Sequence, residues 1–356
     1  MIIEIIVIRK CFFFAVVYSN ILMFLVTCLP GAGLIDAQGE FVMGTYCRID
    51  LFEDGSTALY NKLFTRLAEL EKIFSANRDD SELAGVNRNA GLEAVEISAE
   101  LFTVLERTLY FAEVTDGAFD PTVGPLVKLW GIGTENARIP LDWEIDAALY
   151  LVNWKELELT AGAEGNLHTS GTAFLKRKGM ALDLGAIAKG YAADELTVIL
   201  QEAGVKRAVI NLGGNVYVWG KKDNGDPWNV GVQNPVTDRG DYIGILKLEG
   251  SISVVSSGIY ERFFTGDDGK HYHHLLELTE NGRGRRGYPA ENGVLSTTVI
   301  AVSSMDADAL STSCFVLGYS RGMALALANG AEIVYIEEKE IRGSPGAMSI
   351  FTLTSH

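Results

Sequence analysis

The chain has 356 residues, of which 48% are hydrophobic and 21% charged. That is ample material for a buried core, and no long stretch carries the low hydrophobicity and high charge of a disordered segment. With 46 acidic against 30 basic residues the formal net charge is -16, which excludes a general nucleic-acid binder working by phosphate neutralisation. An acidic protein that handles a phosphorylated ligand needs local help from a bound cation, a helix N-terminus or a few placed basic groups.

Arg9 and Lys10 precede a nearly uncharged run from Cys11 to Pro30, followed by the small residues Gly31, Ala32 and Gly33. This pattern reads as an export signal, cleaved or lipidated, or as an uncleaved membrane anchor. Leu25-Val26-Thr27-Cys28 approximates a lipobox with Cys28 as the lipidated residue, although Thr27 fits poorly before it. The expected location is exported, on the periplasmic side of the inner membrane. The division expected is residues 1–38 as leader and residues 39–356 as one mixed α/β unit. Two cysteines remain in the body, Cys47 and Cys314, and they make no disulfide framework; Cys314, in an apolar helical run, reads as a small buried hydrophobe.

In chain order, Phe41 to Phe52 reads as a strand and Ser56 to Phe74 as a helix with Leu59, Leu63, Leu67 and Leu70 on its apolar face. A second helix is expected from Ser98, a plausible N-cap, to Thr115, ending at the Asp116-Gly117 turn. Phe119 to Leu126 is too rich in proline and glycine for a regular element and reads as a loop. Met180 to Leu184 reads as a strand, with a turn at Gly185 and a helix through Leu200; further strands are expected at Arg207 to Leu212, Trp228 to Gln233, Tyr242 to Leu248, Ile252 to Ser256 and Ser296 to Val302. A final helix is expected from Met305 to Leu317, closed by Gly318.

Three patterns could carry chemistry. Asp183-Leu184-Gly185-Ala186-Ile187-Ala188-Lys189 delivers a carboxylate to a tight turn and then a helix, so that backbone N–H groups, the helix dipole and Lys189 converge where a phosphate can bind. A plain crossover with a capping Asp reads the same stretch equally well. Asp308 and Thr312 lie four apart on a helix, placing a carboxylate and a hydroxyl on one face, an oxygen donor pair suited to Mg2+; an acidic first turn that merely favours the helix dipole is the alternative. His271-Tyr272-His273-His274 lacks the spaced ligands of a zinc site, with only His168 and His356 elsewhere in the body, and suits a general base or a polar strand end. Asn211-Leu212-Gly213-Gly214-Asn215 permits close backbone approach but lacks a dinucleotide fingerprint.

Together these residues resemble the ApbE family of FAD:protein FMN transferases. The resemblance spans about residues 41 to 320 and rests on collinear motifs: Met43-Gly44-Thr45; Phe74-Ser75 with Ser81-Glu82-Leu83 and Asn87; Gly117 to Leu126 through Trp130-Gly131; Asp183 to Tyr191; Asn211 to Asn215; Ser257-Gly258; and Asp308 to Thr312. It implies a single α/β body with FAD, the substrate, in a central cleft. Met43, Ala118, Phe119 and Asp120 would lie near the flavin, Asp183 and Lys189 near the nucleotide, with Asn77 and Leu275 also in the binding set. Mg2+ would be held by Asp308, Thr312 and the Ala186 carbonyl, and His274 would be the base. The implied reaction passes the FMN half of FAD to a Thr or Ser hydroxyl of an acceptor flavoprotein, as in a membrane redox complex, releasing AMP. Hydrolysis of FAD to FMN and AMP, and a lipoprotein that only binds FAD, are the rival readings. One departure stands out. The family pattern has His, two aliphatics, Asp, Pro, one residue, Thr and Gly, whereas this chain has His274-Leu275-Leu276-Glu277-Leu278 and then Thr279 to Arg286 before Gly287-Tyr288-Pro289.

Overall fold

A computed structural model of the protein describes residues 37–162, 171–237, 240–280 and 285–354. Residues 1–36, which hold Cys28 and nearly all of the expected leader, lie outside them together with His168 and His356, while Gln38, the last residue of that expected leader, is the first of β1. The elements in chain order are β1 (Gln38–Val42), β2 (Thr45–Asp50), α1 (Thr57–Phe74), α2 (Glu82–Arg88), β3 (Val95–Ile97), α3 (Ala99–Val114), α4 (Gly124–Trp130) and α5 (Asp142–Leu149). Then come β4 (Leu157–Ala161), β5 (Gly171–Leu175), α6 (Ala188–Glu202), β6 (Arg207–Leu212), β7 (Asn215–Gly220), β8 (Trp228–Gln233), β9 (Tyr242–Leu248) and β10 (Ile252–Gly258). The chain closes with β11 (Phe263–Thr265), β12 (His271–His273), β13 (Val294–Ala301), α7 (Ser304–Ala328), β14 (Glu332–Glu337), β15 (Ile341–Gly343), α8 (Pro345–Ile350) and β16 (Phe351–Leu353).

Eight strands form one sheet in the order β1-β2-β6-β7-β10-β13-β14-β15, every neighbouring pair antiparallel. Its strands bury both faces, and the alternation of a pleated strand decides which side each residue serves. Along β14, Ile333 and Tyr335 join the main core with α1, α3, α6 and α7, while Val334 and Ile336 pack on the opposite side with Trp228, Leu246 and Leu248 of the small sheet β16-β9-β8. A satellite cluster holds Leu126 and Trp130 of α4, Ile145 of α5, and Leu276 and Leu278.

The expected N-caps are present: Ser56 accepts the Leu59 N–H and Ser98 the Leu101 N–H, at 3.2 Å each. Four expectations are corrected. Phe41 to Phe52 is a hairpin, because Met43 and Gly44 take φ of 54° and 69°, the two positive-φ residues of a tight hairpin turn. The stretch from Phe119 ends in a helix, α4, with Pro125 in its first turn, where the missing N–H costs nothing. Gly318 does take a positive φ of 71°, yet helix resumes at once and runs to Ala328; the Asn292 amide bonds the Phe315 and Val316 carbonyls at 2.7 and 3.1 Å, capping the break.

The fourth correction bears on the site. Met180 to Leu184 is not a ladder strand; only Ala181 makes a bridge, to Val123. The segment is held extended by partners from elsewhere in the chain. The Asn87 side chain accepts from the Leu182 N–H at 2.7 Å and donates to the Leu182 carbonyl at 3.0 Å, and the Asp183 N–H reaches the Pro121 carbonyl at 2.9 Å. Replacing Asn87 with Ala leaves two polar backbone groups beside the fully buried Leu182 unpaired, at roughly 1–3 kcal/mol each. Denaturant unfolding of Asn87→Ala is therefore expected to show a loss of about 2–6 kcal/mol; a loss under about 0.5 kcal/mol would mean that this clamp does not hold the segment.

Candidate functional site

A cavity of about 1620 Å³ is walled by the β1–β2 hairpin, the segment Ala118 to Val127, the start of α6, the inner face of α7 and the turn after β12. It exceeds the roughly 300–1,000 Å³ of ordinary small-ligand pockets, and so has room for a large ligand. Ten of the twelve residues singled out from sequence line it: Ala118, Phe119, Asp120, Asp183, Ala186, Lys189, His274, Leu275, Asp308 and Thr312. Two do not. Met43 is half-buried against the main core while its neighbours Gly44 and Thr45 line the cavity, and Asn77 is exposed outside the lining.

At the start of α6, the Asp183 carboxylate accepts the Gly185 N–H at 2.8 Å and the Lys189 ammonium donates to the Gly185 carbonyl at 2.9 Å. The Gly190 N–H, in the first turn and so without a partner in its own helix, donates to the Asp308 carboxylate at 2.9 Å. Among the described residues no backbone N–H bonds the Ala186 carbonyl. Asp308 is 4% exposed, and burial pushes its carboxyl up, opposed by Lys189 and by the Gly190 N–H. A buried carboxylate with so little compensation favours a bound cation. Thr312 lies one turn further along α7, its hydroxyl 3.4 Å from that of Ser257, which is in turn 2.8 Å from the Ser311 hydroxyl.

Carbonyl, carboxylate and hydroxyl are all hard oxygen donors, the set that suits Mg2+ with water and phosphate completing the shell. Among the described residues no group of three or more His, Cys, Asp or Glu converges.

The three histidines have separate surroundings. His271 is exposed and stacks on Phe263, ring centres 5.0 Å apart. His273 is buried, with Nε2 3.2 Å from the Ala290 carbonyl and Nδ1 accepting the Leu275 N–H at 3.3 Å. Those partners require Nε2–H and a bare Nδ1, a neutral ring; burial pushes its pKa down to about 4. His274 reaches the cavity, and its Nδ1 lies 3.2 Å from the Arg262 carbonyl. A carbonyl only accepts, so Nδ1 carries the proton and Nε2 is left with its lone pair, the tautomer a general base needs. Part of the ring still meets solvent, but desolvation within the cleft, with Arg262, His273 and Lys189 adding positive charge, lowers its pKa to about 3.

Asp120 is nearly buried and fully engaged within the protein: Oδ1 accepts the Thr122 N–H and hydroxyl at 2.7 and 2.6 Å, and Oδ2 the Trp154 N–H at 3.0 Å. Its carboxylate fixes the loop that presents Ala118 and Phe119. Sequence reasoning gave no role to Tyr46, Asn215, Ser257, Glu261 or Arg262, all of which line the cavity. Ser257 and Asn215 lay inside recognised motifs, and that was their only signal; Glu261 and Arg262 follow a strand end with nothing local to mark them.

Residues 43–335 match the ApbE family. This chain belongs to the ApbE family. It is 38% identical over 326 residues, 87% of each chain, to a FAD:protein FMN transferase of Treponema pallidum. Its fold is similar to that of the ApbE protein of Thermotoga maritima, at a TM-score of 0.76 and 32% identity over 88% of this chain and 98% of that one. The flavin transferase ApbE of Vibrio cholerae gives a TM-score of 0.74 at 29% identity, again over 88% and 98% of the two chains.

Where the ApbE pattern has Asp-Pro, Glu277 is buried and its Oε1 accepts both the N–H and the hydroxyl of Thr279, at 3.0 Å each. The Glu277 N–H bonds the Tyr288 carbonyl at 2.8 Å and the Gly287 N–H the Glu277 carbonyl at 2.7 Å, closing the stem of the inserted segment. The insertion therefore leaves the wall formed by His274, Leu275 and Leu276 in place.

His273 also makes a pH prediction. Its folded pKa lies below the unfolded value, so it binds a proton more readily in the unfolded chain, and its contribution to stability is lost as pH falls from about 6.5 to about 4. His273→Phe, which loses both hydrogen bonds but keeps the edge contact with Phe315, is expected to be less stable at pH 7 and to show a smaller drop in stability between pH 7 and 4.5. Equal drops in variant and parent by denaturant unfolding would overturn this assignment.

Proposed function

We propose that this ApbE family member transfers the FMN half of FAD to a threonine or serine hydroxyl of an acceptor protein in an Mg2+-dependent reaction that releases AMP. The observation that carries the reading is the meeting, in one cavity of a chain 38% identical to a named FAD:protein FMN transferase, of a neutral His274 with a bare Nε2 and of Asp308, Thr312 and the unbonded Ala186 carbonyl. Those three would hold Mg2+, which when bound supplies positive charge against the pyrophosphate. The start of α6 and Lys189 favour the same anionic groups. His274 Nε2 accepts the proton of the acceptor hydroxyl; the hydroxyl oxygen bonds to the FMN phosphorus as its bond to the AMP oxygen breaks. Ala118 and Phe119, fixed through Asp120, supply apolar wall for the flavin. Positioning and electrostatics do the work, and no covalent enzyme intermediate is needed.

The acceptor is a flavoprotein subunit, as of a membrane redox complex, reached outside the cytoplasm. The apolar leader supports export, and Cys28 is the proposed lipid attachment point on the periplasmic side. Among the described residues no helix is long and apolar enough to cross a membrane; the attachment proposed is carried by the leader alone.

Purified protein given FAD, Mg2+ and an acceptor is expected to release AMP and leave FMN on the acceptor; FMN found only free in solution would favour hydrolysis. Excess EDTA and Asp308→Ala should each abolish AMP release, and full turnover in either would remove the metal assignment. His274→Ala should slow transfer roughly a hundred- to ten-thousand-fold while FAD affinity moves only a few-fold, with the exposed His271→Ala unchanged. Because His274 is neutral far below pH 6.5, the rate should show no histidine-type fall near pH 6.5. For export, fractionation should place the protein outside the cytoplasm, and Cys28→Ser should lose a lipid label; unprocessed, soluble cytoplasmic protein would contradict both.

A further inference from the structure

The helix that bears Asp308 and Thr312 and the helix that follows Ala186 hold each other by a reciprocal exchange. Asp308 of α7 accepts the Gly190 N–H of α6 at 2.9 Å. Four residues on from Gly190, Asp194 of α6 accepts the N–H groups of Ser304 and Met305 in the first turn of α7, at 2.8 and 3.0 Å, and the Ser303 hydroxyl at 3.1 Å. Ser304 in turn lies four residues before Asp308. Each helix thus offers first-turn N–H groups to the other's carboxylate, and the positive N-terminal ends are satisfied by partners rather than by their own turns. Nothing larger than glycine fits between them, since a Cβ at Gly190 would lie 2.2 Å from the Ser304 carbonyl oxygen.

We infer that Asp194 is a positioning residue for the Mg2+ and pyrophosphate site. It touches neither; it fixes where α7 starts, and hence where Asp308 and Thr312 stand relative to the Ala186 carbonyl in the turn before α6. The network runs further into the cavity floor. The Ser253 hydroxyl donates to that of Ser304, which donates to the Asn215 amide oxygen, each at 2.9 Å, and Asn215 lines the cavity. A shift of α7 along its axis would break the bonds of Asp194, the Ser304 to Asn215 bond and the Asp308 to Gly190 bond together, so the ligand set has one register.

The inference rests on the proposed Mg2+ dependence, and its test separates the two. Asp194→Asn keeps the shape but loses the charge and one acceptor. Two readouts are compared with the parent: the Mg2+ concentration for half-maximal AMP release, and the rise in melting temperature of the FAD-bound protein when MgCl2 replaces EDTA. Outer-shell partners of a metal site are worth about 10- to 100-fold in affinity or activity, so the half-maximal Mg2+ concentration should rise by about that factor and the Mg2+-dependent thermal shift should shrink, with the FAD KM at saturating Mg2+ changed less than threefold. A purely structural Asp194 would lower the melting temperature in EDTA and leave both Mg2+ readouts at parental values, which would overturn the inference. A parent that shows neither Mg2+ dependence nor a Mg2+ shift would instead overturn the metal reading, and the inference with it. If Asp194→Asn does not fold, Ser303→Ala removes the longest of the three bonds together with the cap that the same hydroxyl gives the Asp306 N–H at 3.2 Å; a few-fold rise in the Mg2+ requirement is expected, and an unchanged requirement overturns the inference.

Discussion

The close crossing at Gly190 is the constraint from which the rest of the cavity follows. Because α6 passes α7 with no space for a side chain, the Gly190 N–H, a first-turn group that its own helix cannot bond, is within reach of the Asp308 carboxylate. The Ala186 carbonyl, in the turn just before the helix, has no backbone N–H partner among the described residues, and Ala186 lines the cavity. Asp308 and Ala186 both line the same cavity. Ser257, on β10 at the centre of the eight-stranded sheet, adds the third direction by reaching Ser311 and Thr312. Asp308 and Thr312 stand on a core helix backed by a core strand, and such elements hold a site to tighter tolerance than loops do.

A protein of net charge -16 solves the approach of an anionic ligand locally. Three carboxylates surround the start of α7, and each has a distinct compensation. Asp306 is paired in a two-pronged bridge with Arg107, at 2.7 and 2.8 Å, and that guanidinium also lies over the rings of Tyr110 and Phe111. Asp194 is met by two N–H groups and a hydroxyl. Asp308 receives one N–H and the more distant charge of Lys189, and so remains the least compensated of the three. Burial raises the pKa of both Asp194 and Asp308, but only Asp308 faces the cavity, where a divalent cation could relieve the imbalance.

Local signals in the sequence were legible where the structure is locally determined. Ser56 and Ser98 cap the helices they precede, Asp308 and Thr312 fall on one helical face, and Cys314 is wholly buried in α7. The signals fail where long-range partners decide. Met180 to Leu184 has the composition of a strand but takes its hydrogen bonds from Asn87 and Pro121 rather than from a neighbouring strand, so its extended form is real and its ladder is absent. The Met43-Gly44 turn needed two consecutive positive φ values, one of them at a methionine, which residue type alone does not announce. Gly318 marked a true break in α7, but the repair of that break by Asn292 came from 26 residues upstream. Ser257, Glu261 and Arg262 gained meaning only from the sheet that carries them to the cavity.

The segment after Leu276 shows how a departure from a family pattern can leave its geometry untouched. In the pattern an aspartate follows the two aliphatic residues; here glutamate does, one methylene longer, and its Oε1 ties down the N–H and hydroxyl of Thr279. That contact turns the chain, and the Glu277 backbone pairs with Gly287 and Tyr288 before the inserted residues begin to matter. The bond from Ala290 N–H to the Leu275 carbonyl at 2.9 Å and the bridge between Leu276 and Pro289 then return the chain to the wall. Trp130, fully buried, donates its indole N–H to the Gly287 carbonyl at 2.8 Å, so α4 braces the far side of the same stem. The position of His274 is thus set by paired backbone on one side and by the Arg262 carbonyl on the other. Neither depends on the residues beyond the stem, which leaves Arg285, bridged to Asp142 at 2.7 Å on the outer surface, free to vary without moving the imidazole.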